Sequence, residues 1–229
     1  MPIKAAVFDA YGTLFDVAAA ARVAAEEPGR AALAQKWQDV ASIWRLKQLQ
    51  YTWLRAITKA HTDFWSVTKD GLDFALEATG LDDDLELRER LLALYWELAA
   101  YREVPEMLTR LKVAGYQTAI LSNGSPDMLD GAVSSAGLSS VLDAVLSVED
   151  VGIFKPDARV YDMVGARFGT SPDEVLFVSS NGWDAAGAAG YGFNTVWVNR
   201  AGEPMDRLPW QPTHVLPDLT TIPDLIAAA

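Results

Sequence analysis

No cysteine occurs among the 229 residues. Disulfides, thiolate nucleophiles and cysteine-bound metals are thereby excluded. Histidine is almost as scarce. His61 and His214 stand isolated, and neither is assigned to catalysis. Cations are outnumbered, with 19 Lys and Arg against 31 Asp and Glu and a formal net charge of −12. That balance argues against a nucleic-acid binder, which needs a basic footprint, and against adhesion to anionic membranes. Any anion that binds must be met by local cations. No uninterrupted apolar run approaches the roughly 20 residues of a membrane-spanning helix. Lys4 is followed only by a short apolar run ending at Asp9, so no secretory signal is expected and cytoplasmic residence is.

Half of the chain is hydrophobic, which argues against disorder and suffices for a sizeable core. Apolar runs at Lys4–Phe8, Gln117–Leu121, Val175–Val178 and Thr195–Val198, with a weaker one at Ala144–Val148, read as buried strands. Helical patterns separate them at Glu106–Ala114, Met128–Ala136 and Ala158–Phe168. Strand and helix in alternation imply an α/β fold, a Rossmann-like parallel sheet with helices on both faces. From about Val17 to Ala100 the rhythm breaks. This stretch has no convincing strand, and its helical patterns run over Ala31–Lys59, Ser66–Thr79 and Leu85–Ala100, punctuated at Gly71 and Gly80. The expected organisation is a core domain of residues 1–16 and 101–229 and an all-helical cap, residues 17–100, inserted after the first strand. The alanine run Ala18–Ala21 carries no functional message.

Four polar clusters follow apolar runs: Asp9 with Thr13, Ser122-Asn123-Gly124-Ser125, Lys155-Pro156-Asp157, and Ser179-Ser180-Asn181-Gly182-Trp183-Asp184. Each alone has an ordinary explanation, as a turn, a solvated lysine or a helix cap. Together they stand where open α/β sheets bind ligands, beyond the carboxyl ends of the strands. A carboxylate at Asp9 could be a nucleophile, a metal ligand or a base.

In this order the clusters resemble the four motifs of the haloacid dehalogenase superfamily, and more narrowly its L-2-haloacid dehalogenases. The residues that carry the likeness are Asp9–Asp16, Leu121–Pro126, Lys155–Asp157 with Tyr161, and Ser179–Asp184. Trp44–Leu49 and Tyr51–Arg55 extend it into the insert. Superfamily phosphatases carry a second aspartate two residues after the nucleophile, where this chain has Tyr11. A phenol, with a reference pKa of about 10, replaces a carboxylic acid poorly as a proton donor. Departure of a halide needs neither a proton nor a metal, so no cofactor and no metal are expected.

The resemblance implies that Asp9 displaces halide from a short 2-halocarboxylate, forming an ester that water then opens, with one inversion from L-substrate to D-2-hydroxy acid. It implies Lys155 beside Asp9, with Thr13 and Ser179 holding Asp9 through their hydroxyls. Ser122 and the backbone N–H groups near Ala10 and Tyr11 would hold the substrate carboxylate. On the insert alone, Arg45 reads first as a surface arginine packed on Trp37 or Trp44; the resemblance turns that reading, so that Arg45, Asn123 and Phe64 would receive the halide. Asp184 would act as base or organiser and Asn181 would position the water. Tyr161 is either part of the lysine–carboxylate group or a helix-core tyrosine. Trp183, Leu49, Tyr11 and Phe64 would form an apolar sleeve, whereas Trp37, Trp53, Trp65 and Trp96 read as core or interface. Asp16 reads as a cap and Asp82–Asp84 as a solvated loop. Two positions depart from the relatives: Leu46, where glutamine often follows the cap arginine, removes a polar contact near the mouth, and Gly182 loosens its loop. The cap is a candidate surface for a homodimer. The rival readings are a magnesium-dependent phosphatase or phosphonatase of the same superfamily and a non-catalytic interaction protein.

Overall fold

The run Ala5–Phe8 forms β1, completely buried, and the remaining architecture is arranged around it. The structure is a computed structural model describing residues 2–228, so Met1 and Ala229, the outer ends of the expected core segments, lie outside it. The helices that follow β1 are α1 (Ala19–Glu26), α2 (Ala31–Ala34), α3 (Trp37–Thr58), α4 (Phe64–Thr79) and α5 (Leu85–Trp96). The chain then runs through α6 (Val104–Val113), β2 (Gln117–Ser122), α7 (Pro126–Ser135), β3 (Ala144–Ser147), α8 (Ala158–Phe168) and β4 (Val175–Ser179). It ends with α9 (Gly182–Tyr191), β5 (Asn194–Val198), β6 (His214–Leu216) and α10 (Ile222–Ala227).

The six strands are all parallel, in the order β3-β2-β1-β4-β5-β6. β1 is paired in register with both neighbours, Phe8 standing opposite Ile120 of β2 and Val178 of β4. Strand order reverses between β1 and β4, which makes the space beyond their carboxyl ends the crevice of a doubly wound sheet. Asp9 follows β1 there, and Ser180–Asp184 follow β4.

The insert contains helices and no strand among the described residues. Its two connections to the core are tied side by side: Asp16 N–H donates to the Ala99 carbonyl (3.1 Å) and Tyr101 N–H to that of Leu14 (2.9 Å). α3 and α4 pack tightly because Gly71 removes a side chain between them. A Cβ there would lie 3.2 Å from the Gln48 backbone nitrogen and 3.3 Å from the Trp44 carbonyl. Gly71 is therefore a contact point inside a continuous helix, not the punctuation expected from the sequence. The expected single helix over Ala31–Lys59 is broken at Gln35 and Lys36, and the Lys36 ammonium turns to donate to the last carbonyl of α4, Thr79 (2.6 Å). Ala19–Ala21 begin α1, whose buried alanines pack against α5. Asp16 accepts from Ala18 N–H (3.1 Å), and Asp84, at the end of its acidic loop, caps α5 through Leu87 N–H (2.8 Å). Trp37 and Tyr51 pack against the core with part of their surface open, and Trp65 meets Trp96 edge-on at 4.8 Å.

Candidate active site

Asp9 is positioned by the sheet itself. Its N–H donates to the Val178 carbonyl (2.9 Å), which extends the β1–β4 ladder by one bond. The chain then turns sharply, with Leu14 N–H returning to the Ala10 carbonyl (2.9 Å). Gly12 makes this turn possible: its φ of +89° is open to glycine, and a Cβ there would press on the Ser180 hydroxyl at 3.1 Å. The turn brings Thr13 back onto the aspartate.

The Asp9 carboxylate accepts from three sides. Lys155 Nζ lies 3.2 Å from Oδ1, while Thr13 Oγ1 and Asn181 Nδ2 each lie 3.0 Å from Oδ2. Lys155 is 1% exposed and donates also to Asp184 Oδ2 (2.8 Å). Asp184, wholly buried in the first turn of α9, takes a further hydrogen bond from the Tyr161 hydroxyl at Oδ1 (2.8 Å). Tyr161 is thus bonded into the lysine–carboxylate group, although it also packs edge-on against Phe177 and Phe193.

Burial pulls the Lys155 ammonium toward neutrality, but the carboxylates of Asp184 and Asp9 more than offset this, and its pKa lies above the ordinary lysine value. Burial lifts the Asp184 pKa, Lys155 opposes the lift and Asp9 adds to it; the net direction is upward. An acid raised in this way is a stronger base once ionised. Tyr11 and Tyr161 are held well above the ordinary phenol range, chiefly by burial, so both remain neutral donors.

The cap supplies the second cation. Arg45 on α3 reaches across the junction, Nη2 donating to the Tyr11 carbonyl (3.0 Å) and to Asn181 Oδ1 (3.1 Å). The Asn181 amide therefore links Arg45 to Asp9. Arg45 Nη1 donates to Gln48 Oε1 (2.8 Å), and the Gln48 amide donates in turn to Thr68 (2.8 Å) and Tyr95 (3.0 Å). The two acids Asp9 and Asp184 and the two bases Lys155 and Arg45 balance to zero in formal charge, so an arriving anion meets no excess of negative charge there.

Ser122 ends β2, buried, with its hydroxyl accepting from Gly124 N–H (3.0 Å). Asn123 Oδ1 accepts from the Lys155 backbone (3.0 Å), which joins the second and third clusters. Among the described residues, the backbone N–H groups of Ala10 and Tyr11 find no backbone acceptor. Phe64, buried at the start of α4, packs on Tyr11 (5.8 Å between ring centroids) and on Phe154 (6.3 Å). Its N–H donates to Glu149 of the core (3.2 Å), and Glu149 also pairs with His61 (3.0 Å). Leu49 is partly exposed on α3, and Trp183 meets Trp53 edge-on at 5.3 Å.

Three expectations need correction. Ser179 does not touch Asp9: its hydroxyl accepts from Asn181 N–H (3.1 Å). Successive residues of a strand face opposite sides, so it is Ser180, one residue on, whose hydroxyl meets Thr13 (3.1 Å). Leu46 is 50% exposed, since neighbouring positions on a helix lie about 100° apart and it cannot share the inward face of Arg45. It faces solvent rather than the polar groups that Arg45 reaches. Gly182 does not loosen its loop: it opens α9, and a Cβ there would lie 2.6 Å from the Asp206 carboxylate. Gln48 and Ser180 are the polar partners that sequence reasoning misses. The visible signal for Gln48 is its place three residues after Arg45, on the same helix face.

Comparison with known proteins agrees with this arrangement. A family model described as haloacid dehalogenase-like hydrolase matches residues 3–192. The (S)-2-haloacid dehalogenase 1 of Pseudomonas sp. (strain CBS-3) is 44% identical over 98% of this chain and 97% of its own length. The (S)-2-haloacid dehalogenase 4A of Burkholderia cepacia is 46% identical over 88% and 85%. The L-2-haloacid dehalogenase of Xanthobacter autotrophicus, solved with chloropropionic acid covalently bound, superposes with a TM-score of 0.88 at 36% identity over 98% of both chains.

Proposed function

The chain belongs to the haloacid dehalogenase-like hydrolase family, and from that premise we propose that it hydrolyses L-2-haloacids to D-2-hydroxy acids and halide through an ester on Asp9. One observation carries the reading. Asp9 lies beside the Lys155 ammonium at 3.2 Å, while the position two residues on holds the buried, neutral phenol of Tyr11. This pair suits a displacement whose leaving group needs no proton.

The substrate carboxylate lies against Ser122 and the free N–H groups of Ala10 and Tyr11; backbone donors at such a turn suit an anion. An Asp9 oxygen attacks C2 from the side opposite the halogen. The new carbon–oxygen bond forms as the carbon–halogen bond breaks, and the halide leaves toward Arg45, Asn123 and the ring edge of Phe64. Positive charge aimed at developing negative charge in a dry site supplies several kcal/mol. Tyr11, Phe64, Leu49 and Trp183 exclude water at this stage. Water then attacks the Asp9 carbonyl carbon, and Asp184 takes its proton with Asn181 orienting it. The acyl–oxygen bond breaks as Asp184 passes that proton to the departing alkoxide, which leaves as the alcohol with C2 inverted once, and the Asp9 carboxyl loses its remaining proton to solvent to return as the carboxylate. Cytoplasmic residence and pairing of two copies through the cap belong to the same reading, with Leu46 and Leu54 offering exposed apolar surface on α3.

Halide release from the two enantiomers of 2-chloropropionate tests this directly. The S enantiomer is expected to turn over fully in chelator and the R enantiomer not at all. Loss of activity in chelator, or turnover of a phosphate ester instead, would overturn it.

Gln48 acts here as a positioning residue. Gln48→Leu removes the acceptor that aims Arg45 and leaves Thr68 and Tyr95 without their partner. Halide release should fall on the order of 10- to 100-fold, as misplacement by an ångström can cost that much. The loss should be larger for chloride than for bromide, the better leaving group, whereas a purely structural role would lower both alike.

A further inference from the structure

Few polar groups join the cap to the core. Away from the two chain connections, where Asp16 sits, two side chains carry every hydrogen bond between them among the described residues. One is Arg45, which reaches from α3 to the Tyr11 carbonyl and Asn181. The other is Glu149, which reaches from the core to the cap. Its Oε1 accepts from the Phe64 N–H (3.2 Å), and its Oε2 pairs with His61 Nε2 (3.0 Å).

Strand order decides where these two ties fall. Asn181 follows β4, Glu149 follows β3, and Asp9 follows β1, which lies between them in the sheet. The cap is therefore fastened to the core on both sides of the nucleophile. Glu149 is itself braced from the core. Its N–H donates to Ser147 Oγ (3.2 Å), and that hydroxyl donates to the Gly124 carbonyl (2.6 Å), in the loop that carries Ser122 and Asn123.

The bond to Phe64 meets a need of α4. The first N–H groups of a helix have no acceptor within it, and a carboxylate there also faces the positive end of the helix dipole. Asp63 caps α4 at the Ser66 N–H (2.8 Å), and Glu149 takes the Phe64 N–H from outside. That fixes the backbone from which the Phe64 ring projects onto Tyr11 and Phe154. The His61 ring packs on the same Phe154, at 4.7 Å between centroids. Both partners of Glu149 thus belong to the aromatic group beside the reaction centre.

We propose that Glu149 is a positioning residue of the dehalogenation: by holding the Phe64 N–H it sets the Phe64 ring where the halide departs. The proposal rests on the dehalogenase reading above. Glu149 makes no hydrogen bond to Asp9 or Lys155 among the described residues, so its effect passes through Phe64.

Halide release from (S)-2-chloropropionate tests this, with circular dichroism reporting the fold. Glu149→Ala should lower kcat about 10- to 100-fold, the scale of an ångström of misplacement. Glu149→Gln keeps both the reach and an acceptor oxygen, and should stay within about threefold of the wild type. Phe64→Leu keeps apolar volume but loses the ring. Adding Glu149→Ala to it should cost less than about twofold more, because the ring that Glu149 aims is already gone. Turnover by Glu149→Ala close to that of the wild type overturns the role. So does an undiminished further loss in the Phe64→Leu background. Where the alanine variant does not fold, the glutamine variant decides: a loss of about tenfold or more in folded Glu149→Gln overturns the role as well. Absence of halide release from the wild type would instead overturn the dehalogenase reading beneath it.

Discussion

Asp9→Asn is expected to abolish halide release, by at least about 10⁴-fold, with the fold retained. The amide matches the carboxylate in shape but cannot form the ester at a useful rate. Its surroundings also fit it badly. Every group that reaches Asp9, namely Lys155, Thr13 and Asn181, donates a hydrogen bond. One end of the amide must then point an N–H at a donor, a mismatch that costs about 1–3 kcal/mol. Halide release from (S)-2-chloropropionate and the circular dichroism spectrum check the two halves of this expectation. Substantial turnover in a folded variant would remove Asp9 from the chemistry, and with it the ester.

Lys155→Met should be nearly as damaging to activity and far more so to stability. The ammonium is the shared counter-ion of Asp9 and Asp184, at 3.2 and 2.8 Å. Removing it leaves two buried carboxylates facing each other, and breaking such a group from one side costs about 3–5 kcal/mol. The pH dependence gives the sign. The pKa of Lys155 is raised, so its contribution in the wild type is complete below the ordinary lysine value and is lost only as pH rises past the elevated one. In the variant the cost comes from ionised carboxylates. Asp184, already raised by burial, gives up its unfavourable charge as pH falls through its elevated pKa. The stability gap between variant and wild type should therefore narrow in mild acid and widen above neutrality. Denaturant unfolding on both sides of the carboxylate range would measure it. An equal gap at both would mean that Lys155 contributes packing on Phe177, 4.9 Å away, more than charge.

Much of this architecture is written in the chain because parallel strands buried on both faces leave continuous apolar runs. β1, β2, β4 and β5 are of that kind, and each polar cluster stands directly beyond one of its strands or loops. β6 leaves no such run: it is a three-residue edge strand, largely exposed. α9 is hidden for a different reason. Gly182, Gly187 and Gly190 look like loop residues until Asp206, Pro156 and Trp210 are seen pressed against them. Gly71 misleads in the same way, because a helix contact and a helix break use the same residue. In the site, the identities of the charged groups are legible, whereas the neutral partners that aim them are not. Ser179 and Ser180 differ only in which side of a strand end they fall on, and Gln48 is one polar residue on a helix with many. What decides between them is tertiary contact: the return of the Thr13 turn, and the meeting of α3 with Thr68 and Tyr95.

The most direct measurement is a single turnover of excess protein on (S)-2-chloropropionate in water enriched in oxygen-18. Water attacks the aspartyl carbon, so the heavy oxygen should enter the Asp9 carboxyl group while the first lactate carries unlabelled oxygen. Heavy oxygen in that first lactate, with Asp9 unlabelled, would mean that water displaces the halide directly and that no ester forms.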